Sequence, residues 1–167
     1  RLSGPYQAGS RDFNWIKYKK SYAQSALSDT IDAVVMGYDF GQGKRAGFGI
    51  GDFLIGVYDA KHDRYLTIAK IGTGLTDDEW RRMKKEIDAI KMADKPGSFA
   101  VNKIMNVDVW ATPKIVVEVQ ADEITKSPMH SSGVALRFPR LISWREKKPQ
   151  DATSIDEMKK MLQTQTR

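Results

Sequence analysis

Residues 53–90 of the chain read FLIGVYDAKHDRYLTIAKIGTGLTDDEWRRMKKEIDAI, which is two strand-like runs followed by a helix signal. Residues 53–59 and 65–71 are rich in apolar residues and are separated by a short polar turn, a pattern that predicts a β-hairpin. Thr76 is a good N-cap and Glu79, three residues later, completes a capping box, so a helix is predicted to begin there. This is the clearest helix signal in the chain.

The predicted helix presents one apolar stripe to the core. Its apolar residues, which repeat at helical spacing, are Trp80, Met83, Ile87 and Ile90. The helix is predicted to end near residues 94–97, Asp-Lys-Pro-Gly, because proline and glycine cannot continue it well. We interpret these aromatic and methionine positions as packing, not as a cofactor site.

Strand signals also flank the hairpin and the helix. They lie in residues 29–40, ending at Gly37, and in residues 113–121, 122–128 and 136–148, whereas residues 95–112 look irregular. A second capping box, Ser154 with Glu157, begins a short C-terminal helix that carries Ile155, Met158 and Leu162. These signals predict an all-β fold with added helices: a small Greek-key β-barrel, the OB-fold, with one internal and one C-terminal helix.

Composition limits what such a domain can do. A chain of 167 residues with 41% hydrophobic residues can bury one core, and a second full domain has no room. The excess of 27 Lys and Arg over 21 Asp and Glu gives a net charge of +6, which favours nucleic acid or an acidic surface as partner. The absence of cysteine excludes a disulfide framework and a thiolate metal site. His62 and His130 are predicted to be surface residues.

Residues 136–148, LRFPRLISWREKK, concentrate positive charge between two aromatic rings. The cations are Arg137, Arg140, Arg145, Lys147 and Lys148, the rings are Phe138 and Trp144, and the one acid is Glu146. Cations neutralise phosphates, and rings supply contact area or stack on sugars and bases. The stretch therefore predicts a nucleic-acid surface, although basic runs are also common as solvated faces. As the last strand, it can hold Pro139 only at an edge or a bulge.

Two further basic pairs precede this stretch. Lys17 and Lys19 share one face of a predicted strand, where they repel each other unless an anion lies between them or the face is simply hydrated. Lys44 and Arg45 are predicted at the tip of a loop with five glycines in residues 41–51, which would let the backbone approach phosphates. A plain flexible hairpin is the alternative, and the spacing excludes a nucleotide-binding P-loop.

Several stretches together resemble the C-terminal OB-fold domain of ATP-dependent DNA ligases. They are residues 14–20 (NWIKYKK), 41–47 (GQGKRAG), 70–79 (KIGTGLTDDE), 124–128 (ITKSP), 136–140 (LRFPR) and 145–153 (REKKPQDAT). By this resemblance, residues 1–22 are a linker and the last strand of an adenylation domain, and residues 23–167 are the OB-fold domain. The family's adenylated lysine lies in a Lys-x-Asp-Gly motif that this chain does not contain, so the chain is expected to be a piece of a ligase and inactive alone.

The resemblance also implies two sets of site residues. Lys17 and Lys19 would bind the phosphates of ATP or AMP, and Arg145 and Lys148 would be catalytic residues that orient the pyrophosphate leaving group. Lys147 stands where the family pattern has an acid, which leaves Glu146 as the local substitute to pair with Arg145. Mg²⁺ would be bound mainly by the adenylation domain, and no metal site is assigned to this chain.

The DNA-binding residues implied by the resemblance are Lys44, Arg45, Arg137, Phe138 and Arg140. They would clamp nicked double-stranded DNA through its shape in repair, replication and recombination, with strong salt dependence. The other partner would be the adenylation domain of the same ligase. No membrane segment is predicted, and a monomer in the cytoplasm or nucleoid, or in the nucleus of a eukaryote, is expected. A stand-alone OB-fold module without catalysis, and the equivalent domain of a capping enzyme or RNA ligase, are the alternatives.

Overall fold

The computed structural model describes residues 29–165, which fold mainly into β-strands. The strands are β1 Ile31–Asp39, β2 Asp52–Asp59, β3 Arg64–Ile71, β4 Lys91–Met92, β5 Phe99–Ala100, β6 Val109–Ala111, β7 Val116–Gln120, β8 Glu123–Lys126, β9 Val134–Arg137 and β10 Arg140–Arg145. The helices are α1 Asp77–Ala89 and α2 Ile155–Gln165. No helix in this part of the chain is both long enough and apolar enough to cross a membrane.

One curved sheet runs in the order β10-β7-β1-β2-β3-β5, and all its neighbouring strands are antiparallel except the parallel pair β3 and β5. Beyond β7, β1 continues its pairing with β6, which also pairs with β4. Strands β8 and β9 form a separate two-stranded ladder. This curled sheet with an internal and a C-terminal helix is the predicted OB-fold.

The predicted last strand, residues 136–148, is divided between β9 and β10, so its description as a single strand was wrong. The pairs Gln120 with Arg140 and Glu123 with Arg137 keep one register, so β8 and β9 continue the β7–β10 hairpin across an interruption. Pro139 lies at this interruption, where its missing N–H removes a ladder donor. The expectation that proline occupies an edge or a bulge is consistent with this position.

The barrel closes where the loop after β8 docks on β3. Thr67 N donates to Ser131 Oγ at 2.9 Å, and Ser131 Oγ donates in turn to the carbonyl oxygen of Ala100. His130 Nδ1 lies 3.0 Å from Thr67 Oγ1, and His130 is only 8% exposed. The prediction of a surface position was therefore wrong for His130, because closure of the barrel buries its side chain, whereas the side chain of His62 is 52% exposed, as predicted.

Helix α1 begins as predicted. The Thr76 hydroxyl accepts from Glu79 N at 3.2 Å and the Glu79 carboxylate accepts from Thr76 N at 3.0 Å. Three of its four predicted packing residues, Trp80, Met83 and Ile87, are buried. The helix ends at Ala89 and not near residue 94, because β4 pairs with β6 directly after it.

Two other boundaries differ from the sequence prediction. Strand β1 continues past Gly37 to Asp39, through a bulge between Val35 and Gly37. A Cβ at Gly37 would lie 2.2 Å from the carbonyl oxygen of Val109, so glycine permits β6 to approach β1 at this point. The segment expected to be irregular, 95–112, contains the short strands β5 and β6. It covers a second apolar cluster on the outer face of the sheet, and Val116 of β7 is buried in that cluster.

Candidate nucleic-acid interface

Phe138 is presented to solvent at the bend between β9 and β10, residues 137–140, which we term the Phe138 turn. It is 62% exposed, and its backbone has φ of 52°, in the left-handed region. A bulky residue there carries a strain of about 1–2 kcal/mol. Since an exposed ring gains little from packing, burial of Phe138 itself does not offset this strain.

Arg137 and Arg140 flank Phe138, and both are ion-paired within the protein. Arg137 Nη1 donates to Glu123 Oε1 at 2.8 Å, and its guanidinium lies 5.4 Å from the centre of the Phe138 ring. Arg140 Nη1 donates to Asp122 Oδ1 at 2.9 Å and to the carbonyl oxygen of Phe138 at 3.2 Å. The structure thus brings three of the predicted DNA-binding residues together at one turn.

Arg145 and Lys147 lie in a second cluster with two carboxylates. Arg145 Nη1 donates to Glu118 Oε2 at 2.9 Å, and Lys147 Nζ donates to Asp32 Oδ2 at 2.7 Å. Arg145 Nε is 3.9 Å from Asp32 Oδ1. The local acid Glu146 was expected to pair with Arg145, but Glu118 and Asp32 do so instead, because β7 and β1 bring them across the sheet.

The register explains why these four charges assemble. Asp32 of β1 and Glu118 of β7 are directly opposite each other in the ladder. Like charges in that position repel, so the two cations between them stabilise the sheet. Lys148 follows as an exposed residue whose side chain makes no hydrogen bond or ion pair among residues 29–165, although its carbonyl oxygen accepts from Asp151 N at 2.9 Å. The two predicted catalytic residues, Arg145 and Lys148, therefore lie close in the chain but differ in their partners.

The Phe138 turn and the Arg145 cluster are separate surfaces. Arg140 and Arg145 are the two ends of β10, six residues long, so their backbones are roughly 17 Å apart at the usual strand rise. One basic stretch of sequence thus supplies two distinct charged sites.

Trp144 lies beneath a cation from helix α1. The guanidinium of Arg82 is 4.0 Å from the centre of the Trp144 ring, and Trp144 Nε1 is buried without a hydrogen-bond partner in the described part of the chain. Trp144 therefore packs α1 against β10. Its expected availability to a nucleic-acid base was wrong, because Arg82, distant in sequence, occupies its face.

The glycine-rich loop places Lys44 and Arg45 differently. Residues Gly43–Arg45 form a 3-10 turn in which Lys44 is exposed. Arg45 donates to the carbonyl oxygen of Gly51 and lies 4.9 Å from the Trp80 ring centre, so it is folded back and half-buried, not at the tip. The loop follows the carboxyl end of β1, whereas the Phe138 turn lies beside its amino end. A nine-residue strand is roughly 26 Å long, so the structure does not join these two predicted contacts.

The loop borders an open pocket of about 670 Å³ that contains both signs of charge. Lys44 and Arg45 line it together with Asp39, Asp52 and Asp108. Burial, with the negative charge of the adjacent Asp39, raises the pKa of Asp52 to about 7. Lys70 Nζ, 2.8 Å from Asp39 Oδ2, partly opposes that shift.

The remaining predicted residues, Lys17 and Lys19, lie outside residues 29–165. Within that range, no group of His, Asp and Glu side chains could hold a metal ion. The acids that pair with the basic stretch, Asp32, Glu118, Asp122 and Glu123, were missed by sequence reasoning. The alternation of residues 113–121 does predict that Glu118 faces outward. Only the strand register, however, shows which cations these acids pair with.

Residues 46–148 match the family described as the C-terminal region of ATP-dependent DNA ligase, and this is more than half of the 167-residue chain. The chain belongs to this ligase family. The match also excludes the capping-enzyme and RNA-ligase alternatives for the domain's family. It agrees with the resemblance found in the motifs of residues 70–79 and 136–140, which lie within it.

Curated relatives that align with nearly all of this chain are named DNA ligases or probable DNA ligases. A probable DNA ligase of Dictyoglomus turgidum is 50% identical over 174 residues, which cover 99% of this chain and 29% of that protein. A DNA ligase of Pyrobaculum calidifontis is 42% identical over 171 residues, covering 96% of this chain and 29% of that protein. The chain therefore spans less than a third of the length of these relatives.

Solved structures agree with the fold of the ligase region. The ligase domain of LigD from M. tuberculosis superposes with a TM-score of 0.59 at 23% identity, covering 75% of this chain and 38% of that chain. A mycobacterial DNA ligase D complexed with ATP and MES gives a TM-score of 0.55 at 22% identity, with the same coverage. At such identities the likeness concerns the fold alone.

Proposed function

We propose that the chain acts as the OB-fold domain of an ATP-dependent DNA ligase, serving the adenylation domain with one surface and nicked duplex DNA with another. The observation that carries this proposal is the division of the basic stretch into two sites at opposite ends of β10. A domain that serves two successive partners needs two such surfaces, whereas a simple binding module needs one.

The Phe138 turn is the proposed DNA surface. An exposed apolar ring between two arginines can press into the minor groove while Arg137 lies beside the DNA backbone. Such a contact reads duplex shape and is independent of base sequence. Lys44, at the other end of β1, is an exposed cation that can contact phosphate at a distance of several base pairs. Arg45 is half-buried, and we propose that it contacts DNA through the guanidinium donors that do not bond to the carbonyl oxygen of Gly51.

The Arg145 cluster is the proposed nucleotide surface. In the ligation sequence, a lysine nitrogen of the adenylation domain attacks the α-phosphorus of ATP. A nitrogen–phosphorus bond forms, and the bond to the bridging oxygen of pyrophosphate breaks. Arg145 and Lys148 can bind the departing pyrophosphate, since fixed cations stabilise charge that develops on phosphoryl oxygens. We propose that Lys17 and Lys19 bind the nucleotide phosphates and that Mg²⁺ is bound mainly by the adenylation domain.

A graft tests both surfaces. This chain would replace the corresponding segment of the Dictyoglomus turgidum relative, and two reactions would be measured separately with ATP and magnesium. The first is transfer of AMP to the enzyme, and the second is sealing of a nick that already carries AMP. We expect Arg145→Ala and Lys148→Ala to slow the first reaction and Phe138→Ala to slow the second.

Matched controls exist in the chain. Arg64 has a side chain as exposed as that of Arg145, 43%, and is likewise ion-paired, to Asp59. Lys159 is an exposed lysine on α2, comparable with Lys148. Arg64→Ala and Lys159→Ala should leave both reactions unchanged. The proposal fails if the graft folds and performs neither reaction, or if Arg145→Ala and Phe138→Ala impair the same step equally.

A further inference from the structure

The conformation of Phe138 requires an explanation that its own packing does not supply. A non-glycine residue with positive φ persists only where the surrounding structure holds it, and such positions cluster at binding sites. Phe138 is also exposed, so the surrounding structure fixes the backbone of a residue whose ring faces solvent. The groups that hold it must therefore lie in the chain around the turn.

Asp122 contacts the chain on both sides of Phe138. Its backbone N donates to the carbonyl oxygen of Arg137 at 2.9 Å, before Phe138. Its carboxylate accepts from Arg140 Nη1 at 2.9 Å, after Phe138, and the same Nη1 donates to the carbonyl oxygen of Phe138 at 3.2 Å. Three hydrogen bonds thus span the turn, and Pro139 stiffens it further.

These bonds are sheltered more than a surface ion pair would be. The side chain of Asp122 is 16% exposed, and that of Arg140 is 40% exposed. The Arg140 nitrogen that meets Asp122 is also the one that meets the Phe138 carbonyl, so this edge of the guanidinium is directed into the turn. Arg140 is therefore better placed to fix Phe138 than to reach outward to a phosphate.

We propose that Asp122 and Arg140 are positioning residues that hold Phe138 as a preformed wedge for the minor groove of nicked duplex DNA. This inference rests on the proposed function, because it assumes that the Phe138 turn is the DNA surface. A preformed wedge spares the cost of ordering the ring upon binding. Arg140 then acts through Phe138, whereas Lys44 acts on phosphate directly.

The direction in which Asp122→Asn changes DNA affinity distinguishes a positioning role from a purely electrostatic one. Asp122→Asn removes a negative charge near the DNA surface, so electrostatics alone predicts tighter binding of a polyanion. Loss of the clamp predicts weaker binding, by about two- to tenfold, which is the usual cost of ordering one side chain. Asp94→Asn is the control for charge, because Asp94 is exposed and has no ion pair in the described part of the chain.

The experiment measures the affinity of this chain for a fluorescent nicked duplex at several salt concentrations. Asp122→Asn and Arg140→Gln should each weaken binding without changing the slope of log affinity against log salt, and the double variant should bind no more weakly than either. Lys44→Gln should reduce that slope by about 0.9, as expected for one lost phosphate contact. Circular dichroism and thermal unfolding verify that each variant is folded.

A second background excludes a merely structural effect. In a Phe138→Ala chain the wedge is absent, so Asp122→Asn should no longer weaken binding and should instead strengthen it slightly. Weakening in both backgrounds, tighter binding of Asp122→Asn in the parent, or a slope lowered by about 0.9 in Arg140→Gln would each overturn the inference. If Phe138→Ala weakens binding while Asp122→Asn does not, the proposed function stands and the clamp fails. If the parent chain does not bind nicked duplex even at low salt, the proposed function itself fails.

Discussion

Replacement of Asp52 by asparagine should raise the free energy of unfolding above that of the parent chain at alkaline pH. Asp52 of β2 and Asp39 of β1 are directly opposite each other in the ladder, with Asp108 nearby. Asp52 Oδ1 is buried and has no hydrogen-bond partner among residues 29–165. Burial and the adjacent Asp39 raise the pKa of Asp52 from 3.8 to about 7, so the folded protein holds a proton that the unfolded chain releases.

The magnitude follows from that shift. Raising the pKa of Asp52 from 3.8 to about 7 corresponds to an upper limit of about 4 kcal/mol, at about 1.4 kcal/mol per unit. Because the side chain is only partly buried, solvent screening reduces this to about 1–2 kcal/mol. The folded pKa is raised, so the stability from this group is complete below pH 3.8 and is lost as the pH rises to about 7. An asparagine side chain at this position cannot ionise and can still donate to Asp39.

Urea unfolding of the parent and of Asp52→Asn between pH 4 and pH 8.5 measures this difference directly. We expect the free energy of unfolding of the variant to exceed that of the parent by about 1–2 kcal/mol above pH 7.5, and the gap to close toward pH 4. Asp94→Asn, at an exposed position, should follow the parent throughout. A gap that is constant over the whole range, or that widens toward low pH, would refute the reasoning.

Two further predictions concern stability. Asp32→Asn should lower the free energy of unfolding by about 1–2 kcal/mol, because Lys147 and Arg145 lose a shared and partly buried carboxylate, and urea unfolding at low and high salt measures it. An unchanged midpoint would contradict the described cluster. Burial lowers the pKa of His130, so the parent should lose stability as the pH falls below about 6.5, and His130→Gln should not. Unfolding midpoints at pH 7.5 and pH 5 decide this, and parallel curves would contradict it.

Local sequence signals predicted the elements that depend on neighbours in the chain. The capping box at Thr76 and Glu79 and the β2–β3 hairpin depend on residues a few positions apart, and both are present. The end of α1 was misplaced because β4 begins there, and β4 exists only through its pairing with β6. Element boundaries that long-range pairing sets are not encoded locally.

The charged sites also depend on long-range pairing that the local sequence does not encode. Sequence alone places cations and rings in residues 136–148 but does not show what faces them. Arg82 covers Trp144 although 62 positions separate them in the sequence, and Asp32 reaches Lys147 across 115 positions. Composition could therefore indicate a polyanion surface, but only the register of β1, β7 and β10 shows which cations remain available to one.

The number of unpaired cations determines which contact should dominate the DNA affinity that we propose for this chain. Of the five cations in residues 136–148, Arg137, Arg140, Arg145 and Lys147 each meet a carboxylate, so most of the charge that the sequence displays is already neutralised within the fold. The salt-independent contact of the Phe138 ring should then contribute more than any one of these cations. Burying a ring of that size is worth about 1.5–3 kcal/mol, or about ten- to 150-fold in affinity.

Phe138→Ala should therefore weaken binding of nicked duplex more than Arg137→Gln does, and the difference should grow as salt is raised, because screening removes only the cation's share. Both variants and the parent would be titrated at about 0.05 and about 0.2 M salt, the range over which phosphate contacts weaken most visibly. A larger loss for Arg137→Gln at either salt would show that Glu123 gives up its arginine to the DNA backbone. The charge of the stretch, and not the shape of its turn, would then determine affinity.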